Sequence, residues 1–392
     1  MKYGLFFIAS IILINSVAAS SNPNIVALGN GADIDKELIY PGKIAEGPDG
    51  NIYVIDYKDY YIKVYASTGK YVRKLAGRGE GPGEAKRLTS FGFSTDNKSL
   101  FFTEFLTGHP WITFLDLQNH SNKTFKLNIP GMYGFTDAVM LPGGKFLLTM
   151  VESSFCKDMI EKKSRYFLYH IPYKLVIIDN TGSISKEIIY AKYAVSISMI
   201  TDGADITIPF RPEFLWINTK DKIIFADGLS TKLKVMDYTG KLTAEIVTPL
   251  PEPGKVSGKD IETWRNNIKA LPSYKEKTGA FSRSSKVIDF YNESVYEKKP
   301  NLTILSLTPD GNILMGGTWN GETKLKTYWL IDERGKLLYK GTLNAYDIRI
   351  SKRYIFFKVL DEEENTVVKF ILRTKSEKED LQNIESGIRR AD

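Results

Sequence analysis

Residues 44–75 read IAEGPDGNIYVIDYKDYYIKVYASTGKYVRKL, and this stretch decides the fold. Pro48-Asp49-Gly50 and Ser67-Thr68-Gly69 are turn chemistry: proline presets φ, short polar side chains bond their own backbone, and glycine accepts positive φ. Between the turns, Ile52–Asp56 and Tyr61–Tyr65 are short runs rich in β-branched and aromatic residues, flanked by similar runs at each end. The unit is four strands in succession. It is too small to bury a core by itself, so it must pack against copies of itself.

Such copies follow. Leu305–Gly341 repeats the plan, with Pro309-Asp310-Gly311, then Asn312–Gly316, Thr327–Asp332, Gly335 and Leu337–Tyr339. Phe91–Leu127, Ala138–Ile188 and Phe214–Ile246 lie between and keep the same order. Asp179-Asn180-Thr181-Gly182, Asp237-Tyr238-Thr239-Gly240 and Asp332-Glu333-Arg334-Gly335 place Asp first and Gly fourth. That arrangement suits a type I turn closed by a left-handed glycine, so these aspartates read as turn formers, not catalysts. The sixth unit, Tyr346–Thr374, holds three strands: Asp347–Ile350, Tyr354–Leu360 and Thr366–Leu372. Spare β-like segments, Ile25–Leu28 and Ile34–Tyr40, precede the first full unit. An open strand edge is a liability, so the segment Ile25–Tyr40 is expected to pair with Thr366–Leu372 and close a ring. The expected fold is all-β, a six-bladed β-propeller of four-stranded antiparallel blades. A solenoid of stacked units gives no reason for the incomplete last unit.

Between the first two units lies Gly77-Arg78-Gly79-Glu80-Gly81-Pro82-Gly83-Glu84. It resembles the GxGxGPGE connector of NHL-like six-bladed propellers, a family common among exported bacterial proteins, many without an assigned activity. The repeat pattern extends the resemblance over most of the chain, although the glycine-rich motif occurs once. Many relatives look like lipoproteins; this chain departs from them in lacking the lipid-accepting cysteine. No helix follows the glycines and no Gly-Lys-Ser/Thr is present, so the motif reads as a connector and not as a phosphate loop.

Lys2, the apolar run Leu5–Ile14 and Val17-Ala18-Ala19 describe a signal peptide over residues 1–19, implying export to the periplasm or beyond. Residues 20–374 are expected to form the propeller, with 252–300 inserted as a helical segment between blades 4 and 5. Residues 375–392 are expected to be a solvated, partly helical tail. The formal charge is +7, with lysines and acids interspersed, which favours solubility and does not point to nucleic acid. No later segment suits a membrane span, and a monomer is expected. Cys156 is the single cysteine, so no internal disulfide forms, and with no histidine motif beside it a catalytic thiol is not expected. His109, His120 and His170 show no HxH or HExxH spacing, which argues against zinc.

In an antiparallel blade the first-to-second and third-to-fourth turns share one face, and here they are tight. The opposite face carries every long segment: Glu152–Pro172, Tyr190–Pro212 and Thr248–Pro300. Long loops on a rigid scaffold are where binding resides. Asp56, Glu104, Glu152 and Asp227 recur at the ends of second strands, on that face. They are candidate binding residues, either as Ca²⁺ ligands or as acid and base; the alternative is that they pair with neighbouring lysines and backbone amides. In the largest insertion, Ser257 and Asp260 form a helix start, and Ile261, Trp264, Ile268 and Leu271 make one apolar stripe before Pro272. Trp264 is therefore a further candidate, on a helical cap bordering the binding face; the alternative is that the insertion merely plugs the channel mouth. The function expected is binding or scaffolding of a protein, peptide or glycan. The alternative is a metal-assisted lyase or lactonase, a chemistry that six-bladed propellers sometimes host.

Overall fold

The computed structural model describes residues 26–388 except 29–37, 78, 80–82, 86–87, 105–110, 130–132, 153–165, 200–203, 208–209, 211, 271–297, 321–322 and 361–365. Among these residues the strands form six antiparallel sheets. Blade 1 is Pro41–Glu46, Ile52–Asp56, Tyr61–Tyr65 and Tyr71–Leu75, in chain order. Blades 2, 4 and 5 repeat it, starting at Leu88, Phe214 and Ile304. Blade 3 starts at Tyr133 and has a fifth strand, Ala204–Thr207. The first strands touch between blades 1 and 2, 2 and 3, 4 and 5, and 5 and 6, so they line the axis of the ring.

Packing, not local propensity, closes this ring. Six buried apolar clusters are present among the described residues, and each spans two adjacent blades. Tyr53 and Ile55 of blade 1 meet Phe91 and Phe102 of blade 2. The series runs on through Phe101 with Phe146, Leu147 with Ile223, Leu233 with Trp329, and Tyr328 with Phe357. It returns to blade 1 through Ile52 and Tyr65 against Phe356 and Phe370. Strand residues alternate between two sheet faces, and both faces here are covered by a neighbouring blade, which explains why second and third strands are apolar nearly throughout.

Blade 6 consists of Asp347–Ile350, Tyr354–Leu360 and Thr366–Leu372, completed by Val26–Ala27. Val26 lies opposite Phe370 and Ala27 opposite Lys369, Leu28 N donates to Val368 O at 2.9 Å, and Leu28 is buried. The closing strand is shorter than the expected segment; residues 1–25, including the expected signal peptide, and 29–37 lie outside the described residues. The turns follow the expected chemistry. Asp179 Oδ1 accepts from Thr181 N at 2.9 Å and Ser183 N at 3.1 Å, and Gly182 takes φ +85°. Asp237 and Asp332 repeat this arrangement.

Two expectations are corrected. Much of the loop sequence in blade 3 is strand: Tyr166–Ile178 pairs with Ile184–Met199 along its whole length. Its pairing with the second strand stops at Val151–Tyr173, so residues 166–172 continue as a ribbon reaching about 23 Å further. Pro172 hid this continuation. It is tolerated because it falls just past the last rung on that side, where the strand has become an edge. The tail, expected to be a solvated and partly helical extension, is helical over Glu377–Ile388 but docked, with Leu381 and Ile384 buried in the cluster joining blades 5 and 6. The inserted helix is present as Gly258–Ala270, with Ser257 Oγ donating to Asp260 Oδ2 at 2.6 Å and Lys299 Nζ 2.8 Å from the same carboxylate.

Candidate functional site

The register places the four candidate carboxylates at one level. Asp56, Glu104, Glu152 and Asp227 each lie opposite the first residue of their blade's first strand, on the long-loop face. Their surroundings differ. Asp56 is fully buried and accepts from Ile39 N, Tyr40 N, Lys58 N and Lys63 Nζ at 2.8–3.0 Å. Burial alone would raise its carboxyl, but these bonds outweigh it and hold the group below the usual carboxylate range. Asp56 thus clamps the chain entering blade 1. Asp227 is exposed and accepts from Leu229 N at 3.0 Å within its own turn. Glu104 is half-buried and has a partner of its own. The side chains of Glu152 and Trp264 lie outside the described residues. Among the described residues, no group of three His, Cys, Asp or Glu side chains is placed to hold a metal ion.

A different set converges. The first strands of blades 1, 2 and 3 each carry a β-bulge near their start, between Pro41 and Ile44, Leu88 and Ser90, and Phe135 and Asp137. A bulge bends its strand and re-aims the adjoining side chain. Here the residues so placed are Lys43, Ser90 and Asp137. Lys43 Nζ donates to Ser90 Oγ at 3.0 Å and to Asp137 Oδ1 at 2.8 Å, and Ser90 Oγ donates to the same Oδ1 at 2.7 Å. Ser90 is buried, whereas the side chains of Lys43 and Asp137 keep 32% and 42% of their surface accessible. Burial pushes the Asp137 carboxyl up, but the Lys43 charge and the bonds from Lys43, Ser90 and Ala138 N overcome it, so the group is held below its ordinary value. Next to the network, Tyr57 OH donates to Thr89 O at 3.0 Å; burial and the Asp137 charge push this phenol up to about 12.

Blades 5 and 6 supply a second polar group. Lys326 donates to Tyr346 O at 2.7 Å and Thr303 Oγ1 at 3.0 Å. Burial pushes its ammonium down to about 8, against the pull of Asp347 and Glu213. Asp347 lies 3.4 Å from both Lys358 Nζ and Arg349 Nε.

Sequence reasoning passed over Lys43, Ser90 and Asp137, although a signal was present. The three are spaced by 47 residues each, the interval of one repeat unit. The connector Gly77–Glu84 is described in part, with Ala85 N donating to Gly77 O at 2.8 Å. His120 lies 3.1 Å from Arg73 on the surface; Cys156 and His109 lie outside the described residues.

A family model described as a 6-bladed beta-propeller, DUF5128, matches residues 35–223. Together with six sheets and six inter-blade clusters, the match decides the architecture. The chain is a six-bladed β-propeller. The propeller is similar to a Bacteroides fragilis protein described as a candidate exported protein (11% identity, 91% of this chain and 97% of that one, TM-score 0.48). It is also similar to a virginiamycin B lyase from Staphylococcus aureus (12%, 89% and 99%, 0.41) and a gluconolactonase from Xanthomonas campestris (10%, 91% and 93%, 0.44). No curated protein matches the sequence. No helix among the described residues is long and apolar enough to cross a membrane.

Proposed function

We propose that this propeller is an exported binding protein that recognises a protein, peptide or glycan on its long-loop face, with Lys43, Ser90 and Asp137 as the polar floor of the site. The observation that carries the reading is their shared network, drawn from three blades and accessible at the channel wall. Ser90 both donates to a carboxylate and accepts from an ammonium, so its hydroxyl is committed. Asp137, held below the usual carboxylate range, is a weak base and is poorly matched to deprotonating a serine near neutral pH. The set is suited to exchanging hydrogen bonds with a polar ligand. The blade 3 ribbon on the same face enlarges the surface around it.

The test uses the chain without residues 1–19, screened on peptide and glycan arrays and then titrated with each hit by calorimetry. Asp137→Asn and Ser90→Ala should each weaken binding about tenfold or more, since a hydrogen bond to a charged group contributes roughly 1.5–3 kcal/mol. The bound compound should be recovered unchanged by mass spectrometry. Recovery of a cleaved or ring-opened compound would replace binding with catalysis. Hits indifferent to both substitutions would remove the channel wall from the site.

A further inference from the structure

The opposite, tight-turn face carries a cavity that the proposed function does not use. It has a volume of about 840 Å³ and is lined by blades 1, 2, 5 and 6 around the axis. That is within the roughly 300–1,000 Å³ typical of small-molecule sites. Its apolar lining comes from Ile44, Pro48, Phe93 and Phe356. Its charged lining is Glu46, Arg349, Lys352 and Arg353.

These charges are unequally occupied. Glu46 is fully engaged by blade 6: Ser351 Oγ donates to it at 2.7 Å, Arg353 N at 2.9 Å, and the Arg353 guanidinium completes the pair. Glu46 and Arg353 therefore cancel. Arg349 is held on one side only, with Nε 3.4 Å from Asp347, and keeps 43% of its side-chain surface accessible. Among the described residues its two terminal nitrogens, and the Lys352 ammonium, meet no hydrogen-bond or ion-pair partner. A guanidinium ion-paired through Nε and open at both terminal nitrogens is arranged to take a carboxylate in a bidentate fork.

We propose that the tight-turn mouth of the channel is a binding site for a small organic monocarboxylate with an apolar body. Arg349 takes the carboxylate, Lys352 adds charge at the rim, and Ile44, Pro48, Phe93 and Phe356 contact the body. Asp347 acts as a positioning residue for Arg349. The site is independent of the long-loop face and stands or falls separately from the reading given above.

The test titrates the purified chain with phenylacetate, with phenylacetamide, and with inorganic phosphate, by calorimetry. Saturable binding of phenylacetate is expected, with phenylacetamide and phosphate at least tenfold weaker. Arg349→Gln should lower phenylacetate affinity at least tenfold, Arg349→Lys should recover part of it, and Lys352→Gln should cost about two- to threefold. Equal binding of acid and amide, or Arg349→Gln binding like the parent, overturns the proposal. Phosphate binding as tightly as phenylacetate overturns the ligand class. Should Arg349→Gln fail to fold, the exposed Lys352→Gln decides: an affinity and salt dependence unchanged from the parent contradict the site.

Discussion

Asp56 and Asp137 are both lysine-paired carboxylates near the long-loop face, but Asp56 is buried whereas Asp137 keeps 42% of its side-chain surface accessible. Asp56 was legible as a special position because it recurs with Glu104, Glu152 and Asp227. Its use was not, since the donors Ile39 N and Tyr40 N reach it from a segment with no repeat partner. Removing one member of a buried ion pair strands the other, and Lys63 is as buried as Asp56. Asp56→Ala should therefore destabilise by about 3–5 kcal/mol, moderated by Asp59 at 3.3 Å from Lys63, and urea unfolding measures it. A loss below about 1 kcal/mol would return Asp56 to the list of ligand-binding candidates. Glu46 gives the pH dependence at this scale. Burial would raise its carboxyl, but the bonds from Arg353 and Ser351 prevail and hold it below its ordinary value. A depressed carboxyl stabilises fully above its unfolded value of about 4.3, and that contribution is lost as pH falls through the folded value. Glu46→Gln should thus be less stable than the parent at pH 7, by about 1.5–3 kcal/mol. The gap should narrow steadily below about pH 4.3, and a gap independent of pH would exclude Glu46 as its source.

Elements were legible where their period was strong and their boundary residues were unambiguous. The helix at 258–270 announced itself through Ser257 and Asp260, and those two residues do cap it. The C-terminal sequence reads as solvated because it clusters acids and bases and lacks a strong apolar face. Those acids have buried partners instead: Glu377 accepts from Thr308 Oγ1 at 2.8 Å and Asn312 Nδ2 at 3.0 Å, and Glu385 accepts from Tyr339 OH at 3.0 Å. Such contacts cross from the tail to blade 5, and no local pattern encodes them. Leu381 anchors the helix, so Leu381→Ala should cost about 2–4 kcal/mol in urea unfolding, whereas a merely solvated tail would show almost none. The blade 3 ribbon was missed for a different reason. Its aromatic and aliphatic run extends through Tyr166–Ile171, but Pro172 in the middle reads as a break unless the end of the neighbouring strand is known.

At the scale of the whole molecule, the repeat count carried the fold. Three strands in the last unit and spare strands before the first implied a ring closed by the N-terminal segment, and Val26–Ala27 completes blade 6. The network proposed as the floor of a site was less legible because it is assembled across blades. Lys43, Ser90 and Asp137 are polar residues of ordinary appearance, each in its own unit, and meet where three bulges turn them toward one another. Everything on either face depends on the ring being shut, and the most direct test compares thermal unfolding of a chain starting at residue 20 with one starting at residue 29. The shorter chain loses the pairing to Phe370 and Lys369 and the buried Leu28. Losses of that kind amount to about 2–4 kcal/mol, or a fall in Tm of roughly 3–5 °C for a chain of this length. Hydrogen exchange should rise along Thr366–Leu372 before it rises in blades 2 to 4. An unchanged Tm with full protection of Thr366–Leu372 would contradict a ring closed by residues 26–28.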